Sequence, residues 1–164
     1  MTELRELTFA DADAVRRIYG PESVRHLGRA AMDSREAVEF VAAAVASAER
    51  DPRTLYTLGL AVDGDLVGVV KLHLDRPIAA VSYILRRDSW GQGYATEGVR
   101  KTLALGLGHL RLPEIHARHH PDNPASGRVL LKAGFTFTGV RAKFLTYAIR
   151  PPLATASATT PVHL

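Results

Sequence analysis

The sequence predicts an α/β domain: one mixed, mostly antiparallel central sheet with a single parallel strand pair and helices on both faces. Three observations predict it. Apolar residues recur at helical spacing in the first third of the chain, and β-branched and apolar runs then take over at Thr54–Val62 and Leu66–Leu74. Between those runs sits Asp63-Gly64, the turn signal of a hairpin, which makes that half of the sheet antiparallel. Farther on, a strand, a glycine loop, a helix and a strand follow one another, and such a crossover unit lays its two strands parallel.

In chain order, Leu4 and Leu7 flank a short polar stretch that fits an edge strand. Thr8 and Asp11 have capping-box spacing, so a helix is expected from about Ala10 to Tyr19, ended by Gly20-Pro21. A short helix is expected at Glu22–Leu27. Asp33 and Glu36 repeat the capping pattern, and Val38, Val41, Val45 and Ala48 continue it at helical spacing toward Arg50. After the hairpin, Ala79–Leu85 reads as a third strand. A loop with two glycines spans Arg86 to Ala95, and the helix behind it carries Val99, Leu103, Leu107 and Leu110 on one stripe up to Pro113. Ile115–His119 is a short strand. Asn123 or Pro124 opens another helix, which Gly134 closes. Phe135–Val140 and Lys143–Ile149 complete the sheet as a strand pair. Pro151-Pro152 stops the last strand, because proline donates nothing to a ladder. One domain is expected over residues 1–150, with a Pro/Ala/Thr-rich tail over 151–164 that reads as disordered by composition.

Composition narrows the function. At 164 residues, with 46% hydrophobic and 23% charged side chains, the chain suits one self-sufficient core. It has no cysteine, which removes disulfide scaffolds, thiolate nucleophiles and Cys-ligated zinc. The net charge of +4 favours anionic partners. It is spread along the chain without a basic run, so nucleic acid is not an expected partner. The opening residues carry acids and no apolar stretch, and no apolar run approaches the roughly 20 residues a bilayer requires. The expected location is therefore the cytoplasm, with no membrane partner.

The chemistry points to the glycine loop. Gly91 and Gly93 lack Cβ atoms, which lets a ligand approach the backbone. The free amides and partial positive charge of the helix that follows form an anion site, with Arg86 and Arg87 alongside. The GK[ST] of a phosphate-binding P-loop is absent, and Thr96 stands where GxGxxG needs a third glycine. Among other candidates, His116 and His120 point to one side of their strand and His119 to the other, which does not make a metal site. Trp90 has no aromatic neighbours in a basic stripe, so it reads as a packing anchor. The face used by Tyr83 is not settled by its alternation.

Trp90-Gly91-Gln92-Gly93-Tyr94-Ala95-Thr96-Glu97, placed behind the strand Ser82-Tyr83-Ile84-Leu85, resembles the acyl-CoA loop of the GNAT N-acetyltransferase superfamily. His120-Pro121-Asp122-Asn123-Pro124-Ala125-Ser126, followed by Leu130-Leu131-Lys132-Ala133-Gly134-Phe135, resembles the RimJ/RimL-type subgroup of ribosomal-protein N-terminal acetyltransferases, as does the opening Leu4-Arg5-Glu6-Leu7. The likeness spans about residues 3–149. It implies that the parallel strands Ser82–Leu85 and Ile115–His119 splay apart and hold the pantetheine arm of acetyl-CoA. The backbone from Gly91 through Gln92, Gly93, Tyr94 and Ala95 to Thr96 would hold the pyrophosphate, aided by Arg86, Arg87, Trp90 and Arg128. Asn123 and Ser126 would line the arm, and a main-chain amide near Ile84 or Leu85 would polarise the thioester carbonyl.

Two positions depart from the superfamily pattern. Trp90 stands where most members have Gln or Arg, an aromatic being common in the subgroup. Leu130 stands where many members have the Tyr that protonates the CoA thiolate, and Ser126 is the substitute the subgroup pattern suggests. The implied reaction is direct acetyl transfer from acetyl-CoA to a primary amine, on a protein N-terminus or on a small molecule. The base is not named by the sequence. Glu97, in the first turn of the helix, and His73, on the polar side of its strand, are the candidates. Glu97 also suits the helix dipole and His73 also suits solvent. No metal is implied, and a homodimer remains open. The alternative is a non-catalytic acyl-CoA-binding regulatory module, supported by Leu130 alone.

Overall fold

A computed structural model describes residues 1–153. Its core is a seven-stranded sheet in the order β1-β2-β3-β4-β5-β7-β6. The strands are β1 (Thr2–Glu6), β2 (Leu55–Val62), β3 (Asp65–His73), β4 (Ala79–Leu85), β5 (Ile115–His119), β6 (Thr136–Arg141) and β7 (Phe144–Ile149). The helices are α1 (Ala12–Ile18), α2 (Ser34–Ala48), α3 (Tyr94–Leu103) and α4 (Pro124–Lys132). All neighbouring strands pair antiparallel except β4 and β5.

The local signals act as their chemistry requires. The Thr8 amide donates to Asp11 Oδ2 at 2.7 Å, closing the capping box, and a 3-10 turn at Phe9–Asp11 leads into α1. Arg5 of β1 grips the same carboxylate with two hydrogen bonds of 2.9 and 2.8 Å, which ties the edge strand to that turn. Asp33 Oδ1 accepts from the Glu36 amide at 2.8 Å and starts α2. Asp63 and Gly64 turn the hairpin with φ of +48° and +86°.

The structure differs from expectation at three elements. Glu22–Leu27 is a run of hydrogen-bonded turns rather than a helix. The buried stripe of α2 is Ala37, Val41 and Ala44, while Val38 is 53% exposed, so the packed face lies to one side of the expected line. The helix behind the glycine loop changes at Ala104 into a π-helical segment reaching His109. There Gly106 faces Ile115 so closely that a Cβ would sit 2.6 Å from its Cδ1. Of the expected tail, residues 154–164 lie outside the described residues.

Helices α1 and α2 cover one face of β2–β4, burying Leu7, Val15, Ile18, Val41, Val69 and Ile84. Helices α3 and α4 cover the other, around Val70, Leu72, Val99, Leu103, Ile115, Leu130 and Tyr147. Each such side chain contributes roughly 1.5–3 kcal/mol. Strand β5 pairs with β7 along all its residues, from Ile115↔Ile149 to His119↔Leu145, but with β4 only at Ala79↔Ile115 and Ala80↔His116. Beyond that point the two halves of the sheet part, and the gap opens toward the C-terminal ends of β4 and β5.

Candidate active site

The gap is lined by backbone whose orientation follows from pairing. The Arg86 amide donates to the Val67 carbonyl at 2.8 Å. By strand alternation, Ile84↔Val69 and Ser82↔Lys71 are pairs of the same hydrogen-bonded kind, so these residues turn their amides and carbonyls to β3. Tyr83 and Leu85 turn theirs the other way, into the gap. The Leu85 carbonyl is satisfied there by the Ser23 hydroxyl at 2.6 Å and by Trp90 Nε1 at 3.1 Å. The Leu85 amide and both backbone groups of Tyr83 face the gap with no strand beside them. Ile84 has its amide on β3 and its side chain in the α1/α2 core, and contributes no backbone group to the gap.

The glycine loop sits at the open end. Gly91 and Gly93 have φ of +76° and +82°, and a Cβ built on either meets nothing within 4 Å. The loop needs glycine for its left-handed turns, and the space above it is open. Trp90 is pinned through its indole N–H and carries the Arg87 guanidinium 4.5 Å above its ring. Gly93 caps α3, and its carbonyl accepts the Glu97 amide at 3.1 Å. The amides of Tyr94, Ala95 and Thr96 belong to the first helical turn and are left without helical partners. Gln92 joins the two glycines. Arg86 is committed elsewhere, to Asp65 at 2.9 Å and Asp88 at 2.6 Å, and these carboxylates push its pKa further up.

Across the gap, Pro124 opens α4 behind Asn123, the N-cap residue. Ser126 in its first turn meets Tyr83 of β4, hydroxyl to hydroxyl, at 2.8 Å. Burial pushes the Tyr83 phenol up to about 12, so it holds its proton at neutral pH. Next to Ser126, Gly127 rests on a buried pair. Since a carbonyl only accepts, His119 Nδ1–H donates to the His120 carbonyl at 2.8 Å. Its Nε2 lies 3.0 Å from the Tyr147 hydroxyl. Arg128, on the same helix, is exposed, and Leu130 is buried in the core at 1% exposure.

The two candidate bases fall apart from each other. Glu97 accepts a hydrogen bond from the Thr2 hydroxyl of β1, at the sheet edge three strands from the gap. His73 lies opposite Ala80 at the closed end of the gap, on the α1/α2 face, with Nε2 3.3 Å from Ser82 Oγ. Burial, then Arg76 and Lys71, lower its pKa, which keeps the ring neutral near pH 7. Sequence reasoning did not find the Tyr83 hydroxyl or Ser23. Tyr83 lies in a strand packed on both faces, where alternation carries no polarity signal, and Ser23 acts from an irregular segment. Among the described residues, no group of three His, Asp or Glu side chains is arranged to hold a metal, and no helix is long and apolar enough to cross a membrane.

A sheet parted at one parallel pair, with an anion-binding turn at its open end, defines an acyl-CoA-binding architecture. Comparison with known proteins agrees. Residues 2–136 match the acetyltransferase (GNAT) domain family. An uncharacterized N-acetyltransferase, YoaA of Bacillus subtilis, is 28% identical over 147 residues, covering 87% of this chain and 83% of YoaA. RimJ of Mycobacterium smegmatis, solved with CoA-disulfide, superposes with a TM-score of 0.74 at 24% identity, over 91% of this chain and 81% of RimJ. Aminoglycoside acetyltransferase AAC(6')-Ib, solved with coenzyme A, superposes with a TM-score of 0.75 at 15% identity, over 92% and 95% of the two chains. The chain belongs to the GNAT acetyltransferase family, and it is an acyltransferase dependent on acetyl-CoA.

Proposed function

We propose that this protein moves an acetyl group from acetyl-CoA directly to a primary amine, either a protein N-terminal α-amine or the amine of a small molecule. The observation that carries this reading is the gap between β4 and β5. It exposes the Leu85 amide and the Tyr83 backbone beside the Gly91–Thr96 turn, with the Ser126 and Tyr83 hydroxyls at its wall. Backbone groups in a parted sheet suit the amide-bearing pantetheine arm, and the turn suits the pyrophosphate.

Each group then has a task. The amides of residues 91–96 anchor the pyrophosphate, and Asn123 and Ser126 border the arm. The Leu85 amide donates to the thioester oxygen as negative charge develops there. Holding amine and thioester together supplies the larger share of the acceleration, worth roughly 7–11 kcal/mol. As the C–N bond forms and the C–S bond breaks, Ser126 gives its proton to the leaving sulfur and takes one from the Tyr83 hydroxyl, which regains a proton from water as CoA departs, so that no phenolate persists. The surplus amine proton leaves through water on the α1/α2 face, where neutral His73 stands.

Tyr83 thereby supplies the hydroxyl that Leu130 lacks, which favours turnover over a purely regulatory module. Steady-state kinetics with an amine panel tests this. Ser126→Ala lowers kcat by about 10²-fold or more, the scale of one proton-transfer group, and leaves the acetyl-CoA KM within a few-fold. Tyr83→Phe does the same to a lesser degree. An unchanged kcat in both variants refutes the relay.

A further inference from the structure

We propose that the α1/α2 side of the gap is an anion-reading subsite, in which Lys71 and Arg118 hold a carboxylate or phosphate of the amine substrate. The enzyme then acetylates anionic amines and discriminates against polycations. This rests on the amine-acetylation reading above and narrows its acceptor.

Arg118 borders the gap on β5, and Lys71 stands one strand behind its other edge, on β3. Lys71 of β3 pairs in register with Ser82 of β4. Arg118 lies two residues past His116, the last β5 residue paired to β4, so it stands level with Ser82 across the gap. The side chains of Ile115, Ala117 and His119 belong to the α4 side, so His116, Arg118 and His120 face the α1/α2 side with Lys71, His73 and Ser82. Strands β5, β7 and β6 have α4 on one face, while the packing of α1 and α2 is confined to β2–β4, so this side is open.

Both cations are seated and unpaired. Lys71 Nζ lies 4.7 Å from the Phe40 ring centre, and the Arg118 guanidinium lies 4.2 Å from that of Phe144. Among the described residues neither has a carboxylate within ion-pair distance or any hydrogen-bond acceptor. Lys71 is half-buried, and the charge it feels most is the positive Arg29, whose own partner is Glu36 at 2.6 Å. A desolvated ammonium beside another cation is costly to fold and is offset by an incoming anion. The acids on this side are taken or peripheral. Glu114 faces His116 and Arg150 at 3.4 and 3.3 Å, and Asp122 is 78% exposed beside His120. Histidines 26, 73, 116 and 120 complete the wall, with the exposed Asp75 near His73 at its closed end.

The test measures CoA release by the full chain with matched acceptors sharing one N-terminal serine amine. The peptides Ser-Glu-Asp-Ala, Ser-Gln-Asn-Ala and Ser-Lys-Arg-Ala vary charge, and glutamate, O-phosphoserine and spermidine provide the small-molecule arm. The acidic member is expected to exceed the basic one in kcat/KM by about ten- to hundredfold, the scale of one charge-assisted hydrogen bond. Lys71→Glu and Arg118→Glu should each shrink or invert that ratio through the acceptor KM, with the acetyl-CoA KM held. Equal or better turnover of basic acceptors overturns the inference while leaving the amine-acetylation reading intact.

Absence of turnover with every amine overturns that reading instead. The subsite is then judged by calorimetric titration of N-acetylglutamate and inorganic phosphate into the CoA complex. Binding lost in both variants supports it, and no binding overturns it.

Discussion

Substituting Gly127 by alanine sets three effects of known size against one another. In a helix interior Ala is favoured over Gly by about 1 kcal/mol. Against this, a Cβ at Gly127 would lie 2.7 Å from His119 Nε2 and 2.9 Å from the Tyr147 hydroxyl. Neither group is the free end of a flexible chain. The imidazole is clamped at both nitrogens, by the His120 carbonyl at 2.8 Å and the Tyr147 hydroxyl at 3.0 Å, and both rings are buried. Overpacking of this kind costs about 1–3 kcal/mol. Losing one of the two hydrogen bonds to relieve it costs about 0.5–1.5 kcal/mol more. The clash wins, and Gly127→Ala should be net destabilised by about 1–3 kcal/mol. The assay is urea unfolding with the slope m held as a control, so that a lower midpoint reports stability alone. Because α4 lifts at the residue next to Ser126, kcat should fall as well. The double variant Gly127→Ala with His119→Ala should recover part of the loss, as expected for groups in direct contact. A single variant as stable as the parent protein, or more so, refutes the packing argument.

Gly93→Glu places a side chain at φ +82°, a strain of about 1–3 kcal/mol, and a negative charge over the helix amides. Calorimetry should find acetyl-CoA binding abolished, and unchanged affinity would remove the phosphate role of the turn. Gly64→Ala, at φ +86° in the hairpin turn, should cost about 1–2 kcal/mol in urea unfolding while acetyl-CoA affinity stays as it was. His73 gives a pH dependence. Its folded pKa lies below the ordinary 6.5, so the unfolded chain binds the proton more readily. Its contribution is fully present above about 6.5 and is lost as pH falls from there toward the lowered folded value. The drop in urea midpoint between pH 7.5 and pH 5 should therefore be smaller in His73→Gln, and an equal drop in both proteins would show that His73 is not the group involved.

Much of this architecture could be read from local chemistry. The Thr8 capping box, the Asp33 N-cap, the Asp63-Gly64 turn and the glycine loop are written in adjacent residues, because caps and turns are satisfied by neighbours in the chain. The bounds of β4 and β5 agree with expectation for the same reason, each being closed by breakers. The Glu22–Leu27 segment was not legible. Its backbone follows tertiary partners, with Ser23 on the Leu85 carbonyl and His26 stacked 5.2 Å from His120. The α2 face was missed by a small rotation, since the six alanines among its valines let the sheet choose which side to bury.

By itself, then, the sequence determined the order of elements, the anion-binding turn and the family resemblance that the comparisons support. Tertiary structure decided which of its charges and hydroxyls meet. Arg86 and Glu97 look available beside the loop, yet Asp65 and Thr2 occupy them from other strands, and Asp88 holds Arg86 from within the loop. Tyr83 looks like core, yet its hydroxyl reaches Ser126 43 residues away. The physical reason is that a hydrogen bond or ion pair depends on separations of a few ångströms. For Tyr83 and Ser126 that separation is set by how β4 parts from β5, which the pairing of β5 with β7 fixes in turn.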